Sequence, residues 1–272
     1  MVFHAIVLAG ERENGNPLAQ SLGVDAGVLV PVAGKSCLDR VLDSLDISEP
    51  IHSINVCGPE AKVLEAHPEL EQRITTTHNT SWSTPLHGPA ASALSVAEQL
   101  NQWPILLTSG DHALLQASTV ETFCIDAAHT GRDADVVVGF VPYADVLSAF
   151  PDTQRTLLRF RDGIFCGSNL FALLNPQAKH VLEFWQTLES LRKQPWKIAA
   201  RLGWPTLIRY LCRRLTVDDA MARLSELAGC TITWVAVKDP RAAVDVDSHA
   251  DWLLAQEVIT AEKDHAHAPV TP

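Results

Sequence analysis

The segment FHAIVLAGER, residues 3–12, carries the clearest indication of fold class, because an apolar run passes directly into a glycine turn and an arginine. The run from Phe3 to Ala9 is typical of a buried strand in a parallel sheet, whose two faces are both covered. In parallel sheets, ligands bind in the loops that follow the carboxyl ends of strands. Gly10 lets backbone N–H groups approach a phosphate or a base closely, and Arg12 offers a guanidinium group to phosphate oxygens.

Apolar runs and helical patterns alternate along the rest of the chain, which predicts an α/β fold with a Rossmann-like, mostly parallel sheet flanked by helices. We expect further strands at residues 53–57, 74–77, 105–108, 134–140, 165–173 and 231–237. Helices are expected at residues 36–45 and 88–100, in a helical insertion over about residues 177–227 with breaks at 194–195 and 203–205, and from residue 248 onward. The pattern predicts a single domain over residues 1–262 and a flexible tail at residues 263–272.

The composition is that of an ordinary globular protein, since 47% of the 272 residues are hydrophobic and 19% are charged. The net charge of −11 argues against general nucleic-acid binding, because no basic excess is present to neutralise phosphates. The chain has no apolar run of the roughly 18 residues that a membrane span needs, and no basic leader that would indicate a secretory signal. The six cysteines form no CxxC pair, so we expect reduced, buried thiols, no zinc site and a cytoplasmic location.

A second motif, VPVAGKS at residues 30–36, follows the glycine turn and leads into an amphipathic helix. Together with LAGER at residues 8–12, it resembles the nucleotidyltransferase family that includes molybdenum-cofactor guanylyltransferase and the sugar-phosphate nucleotidyltransferases. The resemblance continues in the same order through GPAASALSVAEQL, LLTSGDHALL, FCGSNLFAL and VDVDSHADWLLAQEVI. It therefore spans roughly residues 3–260.

The resemblance implies a nucleoside triphosphate site around the glycine turn. The nucleotide-binding residues that it implies are Leu8, Ala9, Gly10, Glu11, Arg12 and Lys35 around the phosphates, and Gly88, Pro89 and Ser92 against the nucleobase. Two positions depart from the family's pattern, because Glu11 stands where the family has a second glycine and Gly27 where it has a lysine. These departures keep a non-catalytic nucleotide-binding relative as an alternative.

Two carboxylate motifs are candidates for a metal site. Asp111 ends an apolar strand in TSGDHA, and Asp245 and Asp247 lie in VDVDS. Mg²⁺ takes hard oxygen ligands, typically one or two carboxylates plus substrate phosphates, and the resemblance implies that Asp111 and Asp247 hold it. Residues 245 and 247 would face the same side of a strand, which would add Asp245 to the site. The alternative for Asp111 is a helix cap, and Asp251 is expected to form a capping box with Ser248.

The acceptor is expected at the strand FCGSNLFAL, where the resemblance implies that Gly167 permits close approach and Asn169 holds a hydroxyl or phosphate group. Just upstream, Arg155, Arg159 and Arg161 supply three guanidinium groups. In a strand, Arg159 and Arg161 would face one side and bind a phosphorylated acceptor. Solvated surface charge is the alternative.

The helical insertion is basic, because residues 192–214 contain seven Lys or Arg residues and no Asp or Glu, in a chain whose net charge is −11. Trp196, Trp204 and Tyr210 are interleaved with these charges. Such a segment suits peripheral contact with an anionic membrane surface or a lipid-linked phosphate. The alternative is a helical cap whose basic face pairs with the acidic body of the protein.

These motifs together predict a nucleotidyltransferase that moves a nucleoside monophosphate from a nucleoside triphosphate to a phosphorylated small-molecule or lipid-linked acceptor, with release of pyrophosphate. The expected catalytic residues are Arg12, Asp111 and Asp247, which would act with Mg²⁺ by positioning and charge neutralisation. No general base is required, because an acceptor phosphate is already ionised near neutral pH. A nucleotide-sugar-dependent glycosyltransferase, which would share the sheet and the metal aspartate, is the other alternative.

Overall fold

The computed structural model describes residues 1–11, 15–77, 79–191 and 193–267. Its strands are β1 (Phe3–Leu8), β2 (Pro31–Val32), β3 (Lys35–Ser36), β4 (Ile51–Cys57), β5 (Thr80–Ser83), β6 (Ile105–Ser109), β7 (Val136–Pro142), β8 (Leu158–Arg159), β9 (Ile164–Leu173) and β10 (Ile232–Ala236). Its helices are α1 (Pro17–Leu22), α2 (Cys37–Asp46), α3 (Ala61–Ala66), α4 (Pro68–Thr76), α5 (Pro89–Leu100), α6 (Ala117–Thr130), α7 (Tyr143–Ala149), α8 (Lys179–Ser190), α9 (Pro195–Leu202), α10 (Trp204–Leu211), α11 (Val217–Ala228) and α12 (His249–His267).

A mixed, mostly parallel sheet organises the domain, with the strand order β10-β7-β9-β6-β1-β4-β5 and with β8 beside β9. β1 is parallel to both of its neighbours, and Leu8 at its end lies in register with Cys57 of β4 and Ser109 of β6. β9 is antiparallel to β6 and β7. The predicted α/β class is confirmed. The carboxyl ends of β1, β4 and β6 meet at one edge of the sheet, which we call the carboxyl edge.

The apolar run of β1 has a hydrophobic layer on each face, which explains why it lacks the polar alternation of a half-exposed strand. Phe3, Ala5 and Val7 belong to the layer that contains α2, whereas Ile6 belongs to the layer that contains α5. All four side chains are fully buried. The central strand is thereby fixed between two helical layers, and its carboxyl end is held in place.

The basic insertion consists of the short helices α8 to α11. The two predicted breaks lie where α9 begins at Pro195 and at Gly203, whose φ of 95° favours glycine. A third interruption, between α10 and α11, has no counterpart in the sequence prediction, and there Arg213 adopts a left-handed φ of 54°. α8 packs against α5, which joins the insertion to the main domain. Across the described ranges, no helix combines the length and the apolar character that crossing a bilayer requires.

One predicted strand is wrong. Residues 74–77 were expected to pair in the sheet, but residues 74–76 belong to α4. Leu70 and Ile74 lie one helical turn apart on the same buried face, which a short apolar run cannot distinguish from a strand. The strand at this side of the sheet is β5, whose polar sequence TSWS fits an edge strand that pairs only with β4.

The last helix is longer than the sequence pattern indicated. α12 continues to His267, so residues 263–267 of the predicted tail are helical. Ala266 in this stretch is a strong helix former, and the first proline comes only at position 269. Residues 268–272 lie outside the described residues.

A close approach of two backbone segments shapes the carboxyl edge. Gly58 follows β4 with a φ of 101° and lies directly against the turn after β1. A Cβ atom added at Gly58 would lie 2.6 Å from both the Ala9 carbonyl carbon and the Gly10 nitrogen. No side chain fits there, so position 58 needs glycine both for its backbone angle and for its lack of a Cβ.

We expect Gly58→Ala to lower the free energy of unfolding by roughly 2–5 kcal/mol, because the left-handed backbone angle and the overlap with Ala9 and Gly10 both add cost. Gly229→Ala is the matched control, since Gly229 has a φ of 75° but no heavy atom within 4 Å of an added Cβ. That variant should lose only about 1 kcal/mol. Urea unfolding followed by circular dichroism measures both, and equal losses would contradict the close approach.

Candidate active site

The turn after β1 is held by backbone hydrogen bonds to both neighbouring strands. Ala9 N donates to Cys57 O at 2.8 Å, and Gly110 N donates to Leu8 O at 2.8 Å. Ala9 is buried and Gly10 is exposed, so the turn is anchored on its inner side and open to solvent on its outer side. The carboxyl edge therefore contains four of the predicted nucleotide-binding residues: Leu8, Ala9, Gly10 and Glu11.

The two positions that depart from the family's pattern contact each other. Gly27 N donates to Glu11 Oε2 at 2.7 Å. A Cβ at Gly27 would collide with the side chain of Asn16, whose Oδ1 accepts from Leu18 N at 2.9 Å and so caps α1. A lysine at position 27 would therefore displace the cap of α1. Arg12, the predicted catalytic arginine of this loop, lies outside the described residues.

Lys35 forms an ion pair on the surface of the protein. Its Nζ lies 2.6 Å from Asp43 Oδ2 of α2, and more than half of the lysine side chain is exposed. Lys35 belongs to the β2–β3 hairpin, which packs against α12 through a hydrogen bond from Trp252 Nε1 to Pro31 O at 2.8 Å. The ion pair of Lys35 thus links the hairpin to α2 and does not involve the turn after β1.

The start of α5 is organised by Ser92. Its hydroxyl donates to Gly88 O at 2.9 Å and accepts from Leu86 N at 2.9 Å. Gly88, with a φ of 102°, precedes Pro89, the first residue of the helix. The predicted nucleobase residues therefore form one ordered turn, in which the Ser92 hydroxyl is hydrogen-bonded to the backbone.

Glu189 of α8 also lies at this helix start, and no sequence pattern indicated it. Ala90 N donates to Glu189 Oε1 at 3.4 Å, across 99 residues of sequence. A Cβ at Gly88 would lie 2.7 Å from Glu189 Oε2. The helix dipole favours a carboxylate at this end of α5. Glu189 is a further polar group beside the predicted nucleobase turn.

A backbone hydrogen bond brings the acidic motif of residues 245–247 to the end of β6. Val246 N donates to Asp111 O at 3.0 Å, so Asp245 and Asp247 flank the residue that contacts Asp111. The segment is not a strand of the sheet, which corrects the expected strand alternation. Burial raises the pKa of Asp245, and the neighbouring carboxylates of Asp111 and Asp247 raise it further. The three carboxylates therefore share one site.

Arg155 offsets part of this negative charge. It donates to Asp245 Oδ1 at 3.1 Å and also binds Asp251, and only 7% of its side chain is exposed. Asp251 is held by the predicted capping box, in which Ser248 N donates to Asp251 Oδ2 at 3.1 Å and Asp251 N donates to Ser248 Oγ at 3.2 Å. Arg155, grouped with the acceptor arginines on sequence grounds, is thus a buried partner of the acidic motif.

Asp111 and Asp247 are the two carboxylates predicted to hold a divalent cation, and Asp245 is bound to Arg155. Two carboxylates match the chemistry of Mg²⁺, which usually takes its remaining ligands from substrate phosphates and water. In the described part of the chain, no three His, Cys, Asp or Glu side chains are grouped so that they could hold a metal ion. The residues present therefore fit an ion whose coordination a bound nucleotide completes.

β9 carries the predicted acceptor residues to the carboxyl edge. Its antiparallel pairing with β6 is regular as far as Leu107 and Phe171. Gly167 is exposed, and no heavy atom lies within 4 Å of a Cβ added there. The backbone at Gly167 is therefore open to solvent.

Asn169 lies at an irregularity in β9. It adopts a left-handed φ of 52°, and the pairing of β9 with β7 shifts register next to it. Ser168 stabilises the shift by donating its hydroxyl to Gly139 O at 2.8 Å. Bulges of this kind redirect side chains and are frequent beside active sites. Asn169, the residue that the resemblance associates with the acceptor, therefore lies at the irregularity itself.

The predicted pairing of Arg159 and Arg161 on one strand face is wrong. β8 ends at Arg159, and Arg161 lies in the bend before β9, so the two residues do not alternate in a strand. Both are exposed, and neither guanidinium group is hydrogen-bonded or ion-paired with another described residue. Their backbones join the insertion, since Arg159 N donates to the Tyr210 hydroxyl at 3.3 Å.

Comparison with known proteins identifies the family of the chain. The model of the MobA-like NTP transferase domain family matches residues 5–157, which is more than half of the chain. The chain belongs to this family. The matched part of this MobA-like protein contains the turn after β1, Asp111 and Arg155, whereas β9 and the acidic motif follow it.

Solved structures share the fold over nearly the whole chain. A hypothetical transferase from Thermus thermophilus is 28% identical with a TM-score of 0.76, and the match covers 93% of this chain and 100% of that chain. The CMP:2-keto-3-deoxy-manno-octonic acid synthetase complexed with CTP is 13% identical with a TM-score of 0.58, covering 96% and 100%. The 4-diphosphocytidyl-2C-methyl-D-erythritol synthase from Anaerococcus prevotii is 12% identical with a TM-score of 0.57, covering 95% and 96%. Among curated proteins no match was found.

We expect Arg155→Met to lower the free energy of unfolding by roughly 2–4 kcal/mol, because it leaves Asp245 among carboxylates without its cation. Arg159→Met is the matched control, since Arg159 is exposed and unpaired, and it should change stability by no more than about 0.5 kcal/mol. Urea unfolding measures both variants. Equal, small changes would contradict a structural role for Arg155.

Proposed function

We propose that the protein transfers a nucleoside monophosphate from a nucleoside triphosphate to a phosphorylated acceptor, with release of pyrophosphate. The observation that carries the proposal is the convergence of Asp111 with Asp245 and Asp247 beside the open glycine turn, in a chain of the MobA-like NTP transferase family. A backbone turn that binds phosphates and a carboxylate pair suited to Mg²⁺ are the two parts that phosphoryl chemistry needs at one place.

The reaction needs positioning and charge neutralisation more than proton transfer. An ionised oxygen of the acceptor phosphate forms a bond to the α-phosphorus, the bond from that phosphorus to the oxygen shared with the β-phosphorus breaks, and pyrophosphate leaves with the electron pair. Asp111 and Asp247 would hold Mg²⁺, which when bound offsets negative charge on the phosphate oxygens. The turn N–H groups and Arg12 would hold the β- and γ-phosphates.

The histidine next to the carboxylates is not placed to act as a base in this scheme. His112 directly follows Asp111 but is completely buried, and burial lowers its pKa. An acceptor phosphate has no proton that must be removed near neutral pH. The proposed nucleophile therefore needs no base, and this agrees with the complete burial of His112.

The proposed acceptor site lies along β9 and the β8–β9 bend. Gly167 gives room for close approach, Asn169 offers its amide, and Arg159 and Arg161 offer exposed guanidinium groups to a phosphate.

A cytoplasmic location is part of the proposal. All six cysteines are free thiols, as predicted, and five are buried, whereas Cys212 is exposed.

A non-catalytic nucleotide-binding protein is the second candidate, and the contact between Glu11 and Gly27 favours it. The carboxylate of Glu11 lies at the loop that would surround the phosphates, and position 27 has no cation. Such a protein would bind nucleotide and release no pyrophosphate. A screen of the four nucleoside triphosphates against phosphorylated acceptors, with pyrophosphate as the readout, separates the two candidates.

We expect Asp111→Asn to reduce the pyrophosphate-release rate by roughly a hundredfold or more, because it removes one of the two carboxylates for Mg²⁺. The melting temperature should change by only a few degrees. Asp133→Asn is the matched control. It removes an exposed carboxylate after α6, at the opposite end of that helix from Asp111, and should keep the full rate. Near-native turnover of Asp111→Asn would show that this carboxylate does not support the chemistry.

We expect Asn169→Gly to raise the KM for the acceptor roughly tenfold to a hundredfold, because the hydrogen bond of its amide to a charged group is lost. Stability should be unchanged, since glycine accepts the φ of 52° without strain. Asn101→Gly is the matched control, with a left-handed φ of 44° at the end of α5. An unchanged acceptor KM in Asn169→Gly would show that the Asn169 side chain does not bind the acceptor.

A further inference from the structure

Helix α10 exposes an apolar stripe that no part of the protein covers among the described residues. Trp204, Ile208 and Leu211 are spaced by one helical turn each, and they are 56%, 56% and 70% exposed. Trp196 of the adjacent helix α9 is 61% exposed. Scattered exposed apolar residues are normal, but four large ones on two contacting helices form a patch of the kind that marks a contact site.

Six cations lie on or beside these two helices in the chain: Lys193, Lys197, Arg201, Arg209, Arg213 and Arg214. All six are exposed, and no acidic residue lies in the chain between Lys193 and Arg214. Within the described ranges, only Arg209 has an ion pair, with Asp219. The alternative was that these cations pair with acidic residues of the protein, and among the six only Arg209 does so. We call the four apolar residues and these cations the α9–α10 surface.

The opposite side of the two helices is attached to the protein. The Tyr210 ring packs edge-on against Phe160 at 5.7 Å, and its hydroxyl accepts from the backbone of β8. Arg223 Nε of α11 donates to Leu202 O, the last residue of α9, at 3.0 Å. These contacts hold the helix pair against the main domain from one side, so the α9–α10 surface is presented outward as a unit.

We propose that the α9–α10 surface docks onto an anionic lipid bilayer. Helices that lie in a membrane interface combine Trp, Leu and Ile on one face with Lys and Arg around it, and both parts contribute to binding. The charge is complementary, because a chain of net charge −11 concentrates cations at this one place. The inference concerns where the protein works, and it does not depend on the proposed transfer reaction.

A second copy of the chain is a poorer occupant than a lipid surface. A symmetric dimer formed through the same patch on both copies would bring the two sets of cations together. A negatively charged bilayer instead offers an apolar interior to the stripe and anionic headgroups to the surrounding Lys and Arg. The apolar stripe and the cations then each have a partner.

Co-sedimentation with vesicles tests the proposal on the full-length protein. Partitioning onto phosphatidylcholine vesicles that contain phosphatidylglycerol should exceed partitioning onto pure phosphatidylcholine by about tenfold or more. Near 1 M salt, where the screening length falls to roughly 3 Å, the difference should be lost. Equal binding to both vesicle types, or binding to neither, would overturn the proposal.

Two pairs of variants separate the apolar and the charged contributions. Ile208→Ser/Leu211→Ser should lower partitioning onto anionic vesicles by about tenfold or more. Its control, Ile47→Ser/Ile125→Ser, removes two equally exposed apolar residues elsewhere and should keep partitioning within about twofold. Arg213→Gln/Arg214→Gln should also weaken binding, whereas Lys62→Gln/Arg132→Gln should not. Melting temperatures confirm that all four variants fold.

Tryptophan quenching by brominated lipid locates the contact. Trp196 and Trp204 are the exposed tryptophans among the chain's seven, so anionic vesicles with brominated acyl chains should quench part of the emission. Trp196→Phe/Trp204→Phe should remove that quenching. Quenching that persists in this variant would place the contact elsewhere.

Sedimentation velocity without lipid tests for self-association through the same surface. A dimer that is abolished by Ile208→Ser/Leu211→Ser would assign the surface to self-association and overturn the proposal.

Discussion

Carboxylates gathered at one edge of a sheet repel one another, and the layout of the site follows from how that repulsion is offset. Asp111, Asp245 and Asp247 are brought together by the hydrogen bond from Val246 N to Asp111 O. Arg155 neutralises one side of the group by binding Asp245. Under the proposed function, Mg²⁺ held by Asp111 and Asp247 together with substrate phosphates would offset further negative charge of this group.

Glycines form contacts between the turn after β1 and the two neighbouring strands. Gly58 lies against the turn from one strand, and Gly110 binds the end of β1 from the other. Glu11 adds a carboxylate at the mouth of the turn, where it binds Gly27 N. Under the proposed function, triphosphate binding therefore depends more on backbone N–H groups and on the metal than on a lysine.

The sequence predicted the features that local pattern determines. The buried run of β1, the helix break at Gly203 and the capping box of Ser248 each depend on residues close together in the chain. Residues 74–77 misled the prediction because a short apolar run fits a buried helix face as well as a strand. The role of Arg155 depends on partners about 90 residues away in sequence, a pairing that no local pattern encodes.

The identity of the products tests the proposed transfer most directly. We would incubate the protein with a nucleoside triphosphate, Mg²⁺ and a phosphorylated acceptor, and follow the phosphorus signals by ³¹P nuclear magnetic resonance. Nucleotidyl transfer predicts pyrophosphate and a new phosphoanhydride linkage in equal amounts, formed together as the triphosphate disappears. Release of inorganic phosphate alone, or release of a nucleoside diphosphate only when a nucleotide sugar replaces the triphosphate, would contradict nucleotidyl transfer.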